Sequence, residues 1–192
     1  MTMPFSDDYD RDQPLIEAIQ QGDKFAFEDF VRRHESWIRS VVFGVLGQRD
    51  AVDDVVQQIW AAVWQRISGL RDSRRWRPWL YSLSRNAALD AGRQVTRRRE
   101  QMRSLAAEAA VRPRQQVDRS CDDADVSERH AVALDAIRAL PALYREPFVL
   151  RHVNGWSYKE IADVMGIPVD TVETRLVRAR RRLRERLLID KR

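Results

Sequence analysis

The sequence predicts an all-α protein, two small helical domains joined by a flexible linker. Three observations predict it. Apolar residues recur at i, i+3, i+4 and i+7 along most of the 192 residues, the spacing of an amphipathic helix. The period-two alternation of half-buried strands is missing. Seven glycines and seven prolines fall mainly between the periodic segments. Order lapses over residues 100–126, which hold Pro113, three glutamines and the acidic cluster Asp118, Asp122, Asp123 and Asp125. That composition reads as a linker, with a short helical start at 105–110.

The elements follow in order. A first helix covers residues 14–21 and stops at Gly22. Asp23 is placed to cap a second, which carries Phe25, Phe27, Phe30, Val31, His34, Ile38, Val41, Val42 and Val45 to a stop at Gly47. A third follows Asp50, with an apolar stripe of Val52, Val55, Val56, Ile59, Trp60, Val63, Trp64 and Ile67, and ends at Gly69. A fourth starts near Pro78, a residue suited to a first turn, and runs into the arginines 97–99. Beyond the linker, helicity returns at Ser127 with Ala131, Leu134, Ile137 and Leu140. Pro141 breaks it, and another helix spans residues 142–152. The organisation expected is a tail at 1–13, a first domain at 14–99, a linker at 100–127 and a second domain at 128–192.

Composition narrows the function. Hydrophobic residues are 44% of the chain, enough for cores, and charged residues 33%, above the usual share of about 25%. One cysteine, Cys121, excludes an internal disulfide framework and a cysteine-built zinc site. The three histidines are too scattered for a metal cluster, so neither metal nor cofactor is expected. No uncharged apolar run approaches the roughly 18 residues of a membrane span. Asp7, Asp8, Asp10 and Asp12 give the N-terminus the wrong sign for a secretory or transit peptide. A reducing, cytoplasmic location is expected, without membrane insertion. Cys121 lies among acids that disfavour its thiolate and reads as incidental.

The net charge of +5 conceals alternation. Residues 1–84 carry −2, 85–114 carry +5, 115–170 carry −4 and 171–192 carry +6. Nearly all the basic excess is arginine, which suits phosphates and base edges better than a lysine point charge. Nucleic-acid binding is the reading favoured over two solvated basic faces.

The most informative stretch is 155–186. Ser157-Tyr158-Lys159-Glu160 is a capping box. Gly166 supplies a positive-φ stop, and Pro168 opens a longer basic helix. A short helix, a tight turn and a second helix make a helix-turn-helix. On the second helix Val172, Leu176, Ala179, Leu183 and Leu187 should face inward. Thr171, Thr174, Arg175, Arg178 and Arg182 share another face, short hydroxyls first and arginines beyond, as a DNA-reading helix needs.

The N-terminal half separates a regulator from a polymerase factor. The block from Ala51 through Asp53-Asp54, Gln57-Gln58 and Trp60 to Trp64 resembles region 2.2 of the sigma-70 family. Trp79-Leu80-Tyr81, Arg85-Asn86-Ala87-Ala88-Leu89-Asp90 and Arg93 are similar to regions 2.3 and 2.4. Leu140-Pro141, Arg145-Glu146, Phe148, Leu150-Arg151 and Gly155 to Leu183 are similar to region 4. With no room for region 3, this is the layout of the extracytoplasmic-function (ECF) group of bacterial sigma factors. Three departures stand out. Gln58 replaces a common acid, Glu173 stands in the recognition helix and is expected to alter base preference, and Pro147 should kink or shift its helix.

The resemblance implies the roles. Asp54, Gln57 and Gln58 would dock on the clamp helices of the largest subunit of core RNA polymerase. Trp76, Arg85, Asn86, Arg93 and Arg97 would contact the promoter −10 element, with Trp76 a candidate for stacking on single-stranded bases. Thr171, Thr174, Arg175, Arg178 and Arg182 would contact the −35 element. The acidic linker would thread polymerase channels. Family members are often held by an anti-sigma factor, a partner no residue here proves, and no appended sensory domain is expected. No nucleophile–base pair or phosphate loop is present, so no enzymatic activity is expected. The alternatives are a stand-alone helix-turn-helix regulator, which would not need the block at Asp54 and Gln57, and a nuclease with a DNA-binding tail, which would need a third carboxylate beside Asp53-Asp54.

Overall fold

The computed structural model describes residues 6–108 and 124–189. Among them every regular element is helical. Helix α1 (Ser6–Gln20) begins eight residues before the expected start, with Pro14 inside it. The proline marks the middle of this helix rather than its first turn. What fixes α1 is burial: Asp12, Ile16 and Ile19 are all at most 3% exposed. The Gln20 amide donates to the carbonyls of Ile67 and Leu70, at 2.9 and 2.8 Å, tying the end of α1 to the turn after the third helix.

Helix α2 (Lys24–Leu46) starts where expected. The Asp23 carboxylate accepts from the backbone N–H groups of Phe25 and Ala26. It ends at Gly47, whose φ of 69° returns its N–H to the Phe43 carbonyl. Helix α3 (Val52–Arg66) buries Val52, Val55, Val56, Ile59, Trp60 and Val63, then tightens into a 3-10 turn at Ile67–Gly69. Two residues of the stripes expected for α2 and α3 lie outside the core. Phe25 is 83% exposed and Trp64 36%, the latter resting against Phe27 with ring centroids 5.0 Å apart.

After a second 3-10 turn at Ser73–Arg75 comes helix α4 (Trp76–Glu108). Its 33 residues span about 50 Å. Pro78 is its third residue, where no N–H is required. Helix α4 continues past residue 99 and covers the first part of the expected linker. Residues 109–123, with Cys121 and most of the acidic cluster, lie outside the described residues. Trp76, Leu80, Ser84 and Ala88 step by four, and all are 0% exposed. The centre of the first four helices is aromatic. Phe30 meets Trp76 and Trp60 edge-on at 5.1 and 6.1 Å, and His34 lies 4.6 Å from Trp76.

Helices α5 (Ala124–Arg138), α6 (Ala142–His152), α7 (Tyr158–Met165) and α8 (Val169–Ile189) follow. Helix α6 runs unbroken through Pro147. The proline costs the Leu143 carbonyl its helical donor, but Leu143 is on an exposed turn where water can replace it. The two sets of helices then meet. Leu150, Trp156, Ile161, Ala162, Val164, Val172 and Leu176 belong to one apolar cluster with the core of α1–α4. Trp37 of α2 lies 5.3 Å from Trp156. Helix α6 packs on α2, and α7 on α4.

Candidate nucleic-acid interface

The helix-turn-helix is built as its sequence predicts. Glu160 donates its N–H to Ser157 Oγ at 3.3 Å, and its carboxylate accepts the Ser157 N–H. Gly166 ends α7 with a φ of 65°. Val172, Leu176 and Ala179 of α8 are 0% exposed. Leu183 is half-buried and Leu187 exposed, so the inward stripe fades where α8 outruns the core. Thr171 and Arg175 are half-exposed, and Thr174, Arg178 and Arg182 are fully on the surface. At about 100° per residue these five share one face. Glu173 falls roughly 200° from Thr171, on the opposite flank, so it does not stand among the predicted base contacts. Arg182 also lies 5.4 Å over the Tyr144 ring, a cation–π contact that steadies its stem.

On α4, Asn86, Arg93 and Arg97 are exposed and fall on one line of the helix. Asp90 shares that line and pairs with Arg93 at 3.3 Å, both groups well exposed. Beside them a cleft of about 560 Å³ opens between the end of α2 and α4, walled by Val45, Leu46, Ala88, Leu89 and Val95 and rimmed by Arg93 and Arg97. Two expected residues are elsewhere. Trp76 is 0% exposed, packed between Phe30 and His34, and cannot stack on a base without dismantling the core. Arg85 points away from the Asn86 line and binds the Glu146 carboxylate, at 2.8 and 3.4 Å.

Helix α3 presents Asp53, Asp54, Gln57 and Gln58 to solvent opposite its buried valines. The two aspartates lie in its first turn, where the helix dipole favours them. Asp53 is paired with Arg39 of α2. Asp54, Gln57 and Gln58 form the exposed strip expected for docking.

Three surfaces thus sit on three helices: a polar strip on α3, an Asn/Arg line on α4 and a Thr/Arg face on α8. Comparison with known proteins gives them a context. The family model of sigma-70 region 2 matches residues 30–99, and that of sigma-70 region 4 matches residues 130–183. An ECF RNA polymerase sigma-E factor of Haemophilus influenzae is 30% identical over 92% of this chain and 95% of its own. The chain belongs to the ECF sigma factors. The sigma-E factor of Escherichia coli K12 is likewise 30% identical, over 88% of this chain and 90% of its own. Among solved structures, that of CnrH in complex with the cytosolic domain of CnrY superposes with a TM-score of 0.67 at 26% identity, covering 93% of this chain and 98% of the other. The sigma factor RpoE of Bartonella quintana, solved with the anti-sigma factor NepR, has the same fold, with a TM-score of 0.58 at 22% identity, over 85% and 98% of the two chains.

In this sigma factor, the sequence reading missed what the seam between regions 2 and 4 is made of. Arg145 of α6 is 6% exposed. Its Nε and Nη2 donate to the Gly44 and Val45 carbonyls at 2.8 and 2.7 Å, so a region 4 cation caps the C-terminal end of a region 2 helix. Its Nη1 donates to the Arg138 and Leu140 carbonyls at 2.7 and 2.9 Å. Burial lowers the Arg145 pKa, partly offset by Glu146. Glu146, 5% exposed, accepts from Tyr81 Oη at 3.0 Å as well as from Arg85. The Glu146 hydrogen bond holds Arg85 above its usual value, while burial, then the Glu146 charge, pushes the Tyr81 phenol up. Glycines leave room. A Cβ on Gly44 would lie 3.3 Å from the Glu146 Cα, and one on Gly47 2.3 Å from the Arg145 guanidinium. Arg145 and Glu146 are visible in the sequence as a family signature, but no local pattern reveals that their partners lie 60 to 100 residues upstream.

Proposed function

We propose that this sigma factor engages its partners through the three faces, each with its own task. Asp54, Gln57 and Gln58 dock on the clamp helices of the largest subunit of core polymerase. Asn86, Arg93 and Arg97, joined by Arg85 once Glu146 releases it, contact the −10 element, with asparagine reading a base edge and arginines holding phosphates. Thr171, Thr174, Arg175, Arg178 and Arg182 enter the major groove of the −35 element. Residues 14–99 carry the first two tasks and residues 128–192 the third, joined through the segment 100–127. The chain acts by binding alone, without catalysis or cofactor, in the cytoplasm. No helix among the described residues is long and apolar enough to cross a membrane. By analogy with the two solved relatives, each in complex with a partner, an anti-sigma factor is a further partner.

The observation that carries this reading is the division of α8, with Val172, Leu176 and Ala179 sealed in the core and five hydroxyl and guanidinium side chains outside on one face. In vitro transcription with purified core polymerase tests it. Promoter-specific transcripts should appear only when this chain is added, and be reduced by Arg175→Ala or Asp54→Arg. Undiminished transcripts from both variants would overturn the assignments.

A further inference from the structure

We propose that Arg145 and Glu146 form a latch that keeps the two sigma regions closed on each other, and that single-stranded DNA and Glu146 compete for Arg85. Both latch residues are charged side chains that are buried, and their hydrogen-bonding atoms are met across the seam or at the junction of α5 and α6. Gly44 lets the backbones of α2 and α6 approach and Gly47 leaves room for the Arg145 guanidinium, and Trp156 seals the other end against Trp37. Both residues are fully hydrogen-bonded only when the seam is closed, and a partial opening would leave a charge buried without its partners, so the two should hold and release together.

The closed form cannot do the whole task of a sigma factor. By their positions the −10 and −35 elements lie about 25 base pairs apart, or roughly 85 Å along a duplex. A compact chain of this length has a radius of gyration of about 16 Å, and even its longest helix, α4, spans only about 50 Å. Touching both elements at once requires the seam to part. Parting leaves the Gly44 and Val45 carbonyls uncapped and frees Arg85. A phosphate near Arg85 offers the same charge-assisted bonds that Glu146 supplies. DNA binding and opening are then reciprocally coupled.

The experiment uses the full chain carrying Cys121→Ser, with spin labels at Gln65→Cys on α3 and Arg184→Cys on α8, both exposed. Pulsed dipolar spectroscopy should give one short, narrow distance distribution. Glu146→Gln with Arg145→Gln should shift it to longer, broader distances. So should Gly44→Leu, which leaves α2 a better helix former than glycine does and wedges the seam without removing any charge. A wild-type distribution already long and broad, or a short one kept by Gly44→Leu, would overturn the latch. A labelled single-stranded deoxyoligonucleotide of mixed sequence tests the competition. Glu146→Gln alone should bind it about fivefold or more tightly than wild type, and the oligonucleotide should lengthen the wild-type distances. Unchanged affinity in a variant that opens would overturn the competition, and with it the assignment of Arg85 to the −10 element, while the distances alone decide the latch.

Discussion

At the scale of single residues, context settled what type could not. Trp76 stands between two arginines, a setting that suggests base stacking, yet it is the first of four residues at a spacing of four that are wholly buried. The step from Trp76 to Leu80, Ser84 and Ala88 was present in the sequence and outweighs the neighbouring charges, because one buried indole removes far more apolar surface from water than a solvated arginine restores. Asp12 carries a different lesson. It is 3% exposed, with Oδ2 3.0 Å from His34 Nε2, while His34 Nδ1 accepts from Trp37 Nε1 at 3.2 Å. Burial raises the Asp12 pKa, but its bond to and the charge of His34, with Arg77 and Arg33, more than offset that, and the net value lies below the ordinary 3.8. A carboxylate with a lowered folded pKa contributes stability in full above its unfolded value. That contribution is lost as pH falls below about 3.8 and through the folded value. Asp12→Asn should therefore lower the melting temperature at neutral pH and flatten its dependence on pH below about 4, read by circular dichroism.

At the scale of elements, the sequence was most legible where a local bond defines a boundary. Asp23, Gly47, Ser157 and Gly166 all cap the helices expected of them. Replacing the Ser157 hydroxyl by Ser157→Ala should cost about 1 kcal/mol of stability, measured by urea denaturation. The proline readings fared unevenly: Pro141 separates α5 from α6 as expected, but Pro14, read as a helix start, is internal to α1. Pro14 and Pro147 both lie inside helices, because packing of the surrounding turns outweighs one missing donor. Helix α4 extends nine residues beyond 99, where polar composition suggested a linker but no breaker intervenes before 108. Helix α8 carries the sharpest functional expectation. Arg175→Ala should cost about 1–3 kcal/mol of discrimination between a cognate promoter and random DNA, read by competition binding at fixed salt. Arg178→Ala, if it meets only phosphate, should weaken both alike and lower the salt slope by about one.

At the scale of the molecule, the fold class and the order of the two regions followed from periodicity and motif, while their packing did not. A hydrophobic stripe shows that a helix has an inner face. It does not show which helix covers it. Trp37, Trp156 and the residues around Gly44 complete their burial only when regions 2 and 4 meet, a long-range fact without a local signature. The polar strip on α3, proposed for docking, was legible for the opposite reason, since its alternation of acids and amides with valines is contained in one helix. Asp54→Arg should leave the helical circular dichroism unchanged and weaken capture of core polymerase about tenfold, an effect of the size expected when a charge of the wrong sign is placed at an interface. Transcription from a cognate promoter should fall in parallel.

Gly47 meets two demands at once. Its φ of 69° asks for glycine or asparagine. The Arg145 guanidinium, 2.3 to 2.7 Å from any Cβ placed there, admits glycine alone. The two demands can be separated. Gly47→Asn would still terminate α2, yet displace Arg145 from its carbonyls. Such an allele would fold each region normally and disconnect closure from promoter binding. That makes it a genetic handle on how much of the factor stands ready at any moment, independent of how tightly it grips polymerase or DNA.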